Sequence, residues 1–247
     1  NRSSDNISIL LNTGSGAFGA ATNYAAGTEP YSMTIGDVDK DGDIDIVVGD
    51  RTDATNNISV YKNNGNGTFA ARTTFTGQDG VIGLKLADLD KDGDLDIASS
   101  DQFGSPFYLS ILLNNGSGTF GTKTDYAASG SEDMEISDID KDGDIDVILA
   151  DGYGIEVFKN NGNGTFASSV SYSQAQLQVN YLSAGDYDKD GDIDISVSVT
   201  GANALTYFAN NGDGTFSTNV TYFSVGSLPD QVVSADFDKD GDLDLSV

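Results

Sequence analysis

Asp37-Val38-Asp39-Lys40-Asp41-Gly42-Asp43-Ile44-Asp45 is the stretch whose reading decides the fold. It returns nearly letter for letter from Asp88, Asp138, Asp186 and Asp236, at spacings of 51, 50, 48 and 50 residues. A second motif keeps step with it. It reads Asn12-Thr13-Gly14-Ser15-Gly16-Ala17-Phe18 at first, then Asn63-Asn64-Gly65-Asn66-Gly67-Thr68-Phe69, and recurs from Asn114, Asn160 and Asn210. Two motifs sharing one period along the whole chain mark an array of repeats.

Between the motifs the chain reads as short strands. In the second repeat these are Ala71 to Phe75, Val81 to Ala87, Leu95 to Ser99 and Phe107 to Leu113. Within Val81 to Ala87, Ile82, Leu84 and Leu86 alternate with Gly83 and Lys85, the period of a half-buried strand. No segment carries ten residues of capped helical periodicity. Four short strands per ~50 residues is the arithmetic of a propeller blade. The expected fold is all-β: a five-bladed β-propeller of four-stranded blades forming one domain over 1–247. The blades are expected at about 18–68, 69–119, 120–165, 166–215, and 216–247 together with 1–17. Asn6 to Asn12 matches Asn57 to Asn63, so the N-terminal strand is expected to complete the last blade and close the ring, hiding its sheet edges. Pro30, Pro106 and Pro229 stand before expected strands, where a missing N–H is tolerated.

Composition narrows the chemistry. The formal net charge is -27, and five aspartates in each of five loops account for 25 of the 39 acidic residues. Such a chain repels nucleic acid and anionic membranes and attracts cations. It has no cysteine and no histidine, which excludes disulfides, thiol catalysis, zinc sites built on those ligands and a Ser-His-Asp triad. No stretch approaches the ~18 apolar residues of a membrane span. The chain opens on Asn1 and is read as a processed or excerpted segment, so the lack of a targeting signal in it says little.

The acidic loop has the logic of a metal site. Asp37, Asp39, Asp41 and Asp45 stand at positions 1, 3, 5 and 9, so alternate carboxylates converge on one point. Gly42 permits the sharp turn, the job a glycine has in the EF-hand loop. The backbone carbonyl of Asp43 is the expected axial ligand, and the ninth-position aspartate can bind through both oxygens. Six or seven oxygens suit Ca²⁺; Mg²⁺ wants fewer ligands and stricter geometry, and soft metals want sulfur or imidazole. The same roles fall on Asp88, Asp90, Asp92, Asp94 and Asp96; on Asp138, Asp140, Asp142, Asp144 and Asp146; on Asp186, Asp188, Asp190, Asp192 and Asp194; and on Asp236, Asp238, Asp240, Asp242 and Asp244. About one Ca²⁺ per repeat, five in total, is expected. Ile44 and Ile46 are expected to re-enter the core directly after the loop.

These two motifs together resemble the FG-GAP/VCBS repeat, the calcium-binding repeat of integrin α-subunit propellers and of many secreted microbial proteins. The resemblance covers the whole chain. It implies a propeller with Ca²⁺ held on one rim by the five loops. Integrin-type propellers have seven blades, whereas five repeats stand here.

The function expected is a non-catalytic, calcium-stabilised module for adhesion or structural assembly, secreted or on the cell surface, where millimolar calcium fills weak sites. Its partner would be a protein or glycan on the cell surface or matrix. Strand exchange could instead link neighbouring molecules into filaments. The alternative is a lectin-like propeller with Tyr31, Tyr108, Tyr153, Tyr181 or Tyr222 as a sugar platform. Catalysis is not expected, because the carboxylates are committed to metal identically in every repeat. Asn1, Asn6, Asn57, Asn66, Asn115, Asn163 and Asn219 head N-glycosylation sequons, although turn chemistry alone accounts for Asn66 and Asn163. A variable surface is expected at Asp50 to Asn56, Asp101 to Pro106 and Ser171 to Gln178.

Overall fold

The computed structural model describes residues 1–51, 57–78, 80–101, 106–173 and 178–247. Of the variable segments, 52–56, 102–105 and 174–177 lie outside the described residues. The strands β1 (Asn6–Ile9) and β2 (Thr22–Ala25) form a two-stranded sheet. Four four-stranded sheets follow. The first is β3 (Pro30–Gly36), β4 (Asp45–Asp50), β5 (Asn57–Tyr61) and β6 (Thr73–Thr76); the second is β7 (Val81–Ala87), β8 (Asp96–Asp101), β9 (Phe107–Leu112) and β10 (Thr124–Ala128). The third is β11 (Asp133–Ser137), β12 (Asp146–Ala150), β13 (Gly154–Phe158) and β14 (Val170–Ser173); the fourth is β15 (Val179–Gly185), β16 (Asp194–Val199), β17 (Ala204–Phe208) and β18 (Phe223–Ser224). The last two strands, β19 (Val233–Ala235) and β20 (Asp244–Ser246), pair with each other. This is an all-β fold of repeated four-stranded antiparallel sheets, consistent with a propeller. No helix among the described residues is long and apolar enough to cross a membrane.

In each four-stranded sheet the interior strands are drier than the edges. The strand after the acidic loop is buried along its length: all six residues of β4, β8 and β16 are buried, on both faces. The fourth strand is exposed at three of four positions in β6 and β14. Fully burying a Val, Leu or Ile contributes roughly 1.5–3 kcal/mol, so the inner strands carry most of the stability. The chain divides into two compact units: 1–88 with 92–105 and 109–125, and 89–91 with 106–108 and 126–247. In the first, Val47, Ile58, Val81, Leu84 and Ile97 build the main core; in the second, Ile148, Ile155, Val197 and Phe208 do so.

Three expectations shift. The sheet boundaries fall between β6 and β7, β10 and β11, and β14 and β15, not at the Asn-Gly turn. That turn is a hairpin inside a sheet, pinned by bridges such as Asn63↔Phe69 and Asn160↔Phe166. The strand after it is therefore the fourth of its own sheet rather than the first of the next. Ile44 does not re-enter the core; it is 51% exposed, while Ile46 is buried. Its counterpart Leu95 packs over Gly36 of the preceding sheet, where any β-carbon would meet Leu95 Cδ1 at 2.6 Å. Lastly, β1–β2 and β19–β20 each remain two-stranded.

Candidate metal centre

Each acidic loop joins the first strand of a sheet to the second, and two of the bonds that fold it recur in all five loops. Asp37 accepts the backbone N–H of Asp41 at 3.2 Å and of Gly42 at 3.0 Å. The bond from the sixth-position glycine recurs at 3.0–3.1 Å on Asp88, Asp138, Asp186 and Asp236. Asp41 accepts the N–H of Asp43 at 2.9 Å, with equivalents on Asp92, Asp142, Asp190 and Asp240. Gly42 sits at φ 93°, a region that favours glycine. The aspartates thus bind their own backbone in Asx-type turns, which aim the remaining lone pairs inward.

The ninth aspartate is the buried floor. Asp45, Asp96, Asp146 and Asp194 are wholly buried. Asp146 accepts Ile139 N–H at 3.2 Å on one oxygen and Asn160 N–H at 2.8 Å on the other. Asp45 and Asp194 take the corresponding pairs. Burial pushes the carboxyl of Asp146 up to about 7, and raises those of Asp45 and Asp194. A charge so placed calls for a cation or a proton.

Carboxylate oxygens of Asp37, Asp39 and Asp41 lie within 4.8 Å of one another, as do those of Asp88, Asp90 and Asp96, of Asp138, Asp140 and Asp146, of Asp186, Asp188 and Asp194, and of Asp236, Asp238 and Asp244. The three-residue cluster thus takes in position 5 in the first loop and position 9 in the other four. The fit to a hard cation rests on orphaned atoms: Oδ1 of Asp39, Asp88, Asp138 and Asp186 is buried without a hydrogen-bond donor. Leaving a buried acceptor unsatisfied costs about 1–3 kcal/mol, more when it is charged. One divalent cation in each loop, bound by oxygen, would satisfy the orphaned atom there.

Position 7 is different. The side chains of Asp94, Asp144, Asp192 and Asp242 are not in the clusters; each pairs with the fourth-position lysine of the preceding loop, Lys40, Lys91, Lys141 and Lys189 respectively. Hydrogen bonding to these carboxylates raises the pKa of Lys40, Lys91 and Lys141. With these four side chains engaged by lysine, the backbone carbonyl of position 7 would be the group there that could hold a cation. The same carboxylate explains a turn glycine: a β-carbon at Gly65, Gly116, Gly162 or Gly212 would lie 2.6–2.7 Å from the seventh-position carboxylate of its own sheet.

Residues beyond the loop complete the rim. The side-chain amide of Asn114 donates to Val38 O at 2.8 Å and Leu95 O at 3.1 Å, joining two successive loops. Asn160 does the same for Leu89 and Ile145, and Asn210 for Ile139 and Ile193. Lys62 pairs with Asp39 at 3.2 Å and Lys159 with Asp140 at 3.1 Å. The recurrence of the first asparagine in all five turns is the signal for these donors. A hairpin needs asparagine and glycine at its centre, not one residue earlier. In the same turns, Asn66 and Asn163 accept the N–H and hydroxyl of Thr68 and Thr165, so their side chains close the turn.

Comparison with known proteins follows the same repeats. The FG-GAP-like repeat matches residues 1–48, 37–99, 138–197 and 186–247. No relative was found among curated proteins. Among solved structures, one similar protein is a lectin from Agrocybe aegerita with specific recognition of non-reducing terminal N-acetylglucosamine. The TM-score is 0.60 at 24% identity, over 87% of this chain and 59% of that one. Another is a functionally unknown protein from Desulfotomaculum acetoxidans, with TM-score 0.63 at 12% identity over 95% of this chain and 68% of that one. The chain therefore spans about three fifths of the lectin's length. At these identities the likeness is one of fold.

Proposed function

We propose that this chain, which belongs to the FG-GAP-like repeat family, is a non-catalytic, calcium-stabilised module for adhesion or structural assembly outside the cell. The observation that carries the reading is the orphaned first-position oxygen of Asp88, Asp138 and Asp186, repeated in an all-oxygen setting. That donor set suits Ca²⁺. Extracellular modules bind calcium at about 10⁻⁴–10⁻³ M, which matches calcium levels outside cells and not inside them. The carboxylates repeat many of the same structural contacts loop after loop, which supports a structural rather than a catalytic role.

The likeness to a lectin favours glycan binding as the second reading. Tyr153 is 63% exposed, and Tyr31 carries the guanidinium groups of Arg2 and Arg51, each 5.2 Å from its ring centroid. A glycan array that includes N-acetylglucosamine termini separates the two readings. We expect a blank array together with calcium-dependent retention on protein-coated surfaces. Glycan capture in calcium that is lost in EGTA would put the lectin reading first.

We also propose that β1–β2 is the outer half of the blade whose inner half is β19–β20, giving a ring of five. Asn6 to Ile9 repeats the β5 sequence, and β19–β20 repeats the pairing of β3 with β4. An apolar groove of about 460 Å³ runs beside β1, lined by Ile7, Ile9, Tyr31, Met33, Ile35 and Val48. By analogy with Val47↔Val60, Ser246 should oppose Ile9. In a chain without cysteine, the double variant Ile9→Cys/Ser246→Cys is expected to form a disulfide within the monomer. Disulfide-linked oligomers would indicate strand exchange between molecules, and two free thiols would refute both arrangements.

A further inference from the structure

We infer that the fourth-position lysine of each of the first four acidic loops is a lock that couples calcium occupancy of that loop to occupancy of the next, so that binding along the array is positively cooperative. This inference rests on the calcium reading above.

The backbone supplies the first argument. Lys40, Lys91, Lys141, Lys189 and Lys239 all sit in the left-handed region, at φ 59–67°. Glycine or asparagine would hold that conformation with less strain. A lysine is tolerated five times, and in four of them the reason is visible in its side chain. Each amine reaches out of its own loop to the seventh-position carboxylate of the following one. The partners Asp94, Asp144 and Asp192 have side chains only 9–13% exposed. Oδ1 of Asp94 and of Asp144 accepts no hydrogen bond from any other donor. These pairs therefore differ from exposed surface ion pairs, which contribute little.

The placement of the two partners supplies the second. The lysine stands between the aspartates at positions 3 and 5 of its loop, both expected ligands. The carboxylate it grips belongs to the residue whose backbone carbonyl is the expected axial ligand in the next loop. Ordering either loop around an ion therefore orders one end of the shared ion pair. The second loop then has less freedom left to lose, which is positive coupling. A parallel tie runs the same way: Val38 O, Leu89 O and Ile139 O, each at position 2, accept the amides of Asn114, Asn160 and Asn210 in the following sheet. Among the described residues four such lysine–carboxylate pairs are present.

Calorimetric titration of the metal-free chain with calcium tests this. The wild type is expected to bind five ions with a Hill coefficient above 1. The quadruple Lys→Met variant at 40, 91, 141 and 189 keeps the side-chain stems and should still bind five, with a coefficient near 1. Should that variant fail to fold, Lys91→Met alone is expected to raise half-saturating calcium at the two loops it joins by about fivefold. Asp144→Asn should leave the stoichiometry at five. A Hill coefficient unchanged by the lysine variants, or a stoichiometry of four in Asp144→Asn, overturns the inference while leaving the calcium reading intact. A wild type that binds no calcium defeats both.

Discussion

Removing calcium is expected to lower the melting temperature by roughly 15–25 °C. At a free ion concentration about tenfold above Kd, one site stabilises the folded chain by about 1.4 kcal/mol. Five such sites then contribute roughly 7 kcal/mol, and each kcal/mol moves the midpoint of a chain this size by about 2–4 °C. The direction follows from the loops themselves. Without a cation, five carboxylates crowd into nine residues, and the buried oxygens of Asp39, Asp88, Asp138 and Asp186 face no donor. Thermal denaturation in EGTA against millimolar calcium measures this. A superimposable pair of curves would remove calcium from the account of stability.

The second large effect is at Asp146. Asp146→Ala deletes a proposed ligand and also strands the N–H groups of Ile139 and Asn160, which the carboxylate accepts at 3.2 and 2.8 Å. Each stranded buried donor costs about 1–3 kcal/mol. With one site lost as well, the total is about 5 kcal/mol, a fall of roughly 10–20 °C in calcium. Asp142→Ala, at an exposed loop position, should lose little beyond its site, roughly 3–6 °C. Equal losses in the two variants would show that Asp146 is no more than a ligand. Asp146 also sets a pH dependence. Its folded carboxyl titrates at about 7, against 3.8 when unperturbed, so the folded chain holds this proton more tightly than the unfolded chain does. The advantage is complete below 3.8 and lost as pH rises through about 7. In EGTA the wild type should therefore melt at a higher temperature at pH 5.5 than at pH 8, and Asp146→Ala should weaken that dependence.

Much of this architecture is legible in the letters. Alternation in Val81 to Ala87 marks β7 with its observed bounds, and the Asp-x-Asp-x-Asp-Gly spacing marks five loops that close alike. These features are local, set by side-chain period and turn chemistry within a few residues. What escapes is non-local. Pairs such as Lys91 with Asp144 or Asn160 with Leu89 join residues 53 and 71 positions apart. Nothing in the spacing of one loop says which carboxylate turns away from the centre. The sheet boundary is missed for a related reason. An Asn-Gly turn ends a strand wherever it falls, and only pairing shows that β5 and β6 share a sheet.

The asparagine ties have a consequence for the length of the array. Asn114, Asn160 and Asn210 present the same amide to the same carbonyl position, Val38, Leu89 and Ile139. An in-frame deletion or duplication of one whole period would therefore bring together surfaces already matched to each other. Unequal recombination within such a coding sequence can change the copy number without a new interface having to arise. Only a change by part of a period leaves an amide facing the wrong residue.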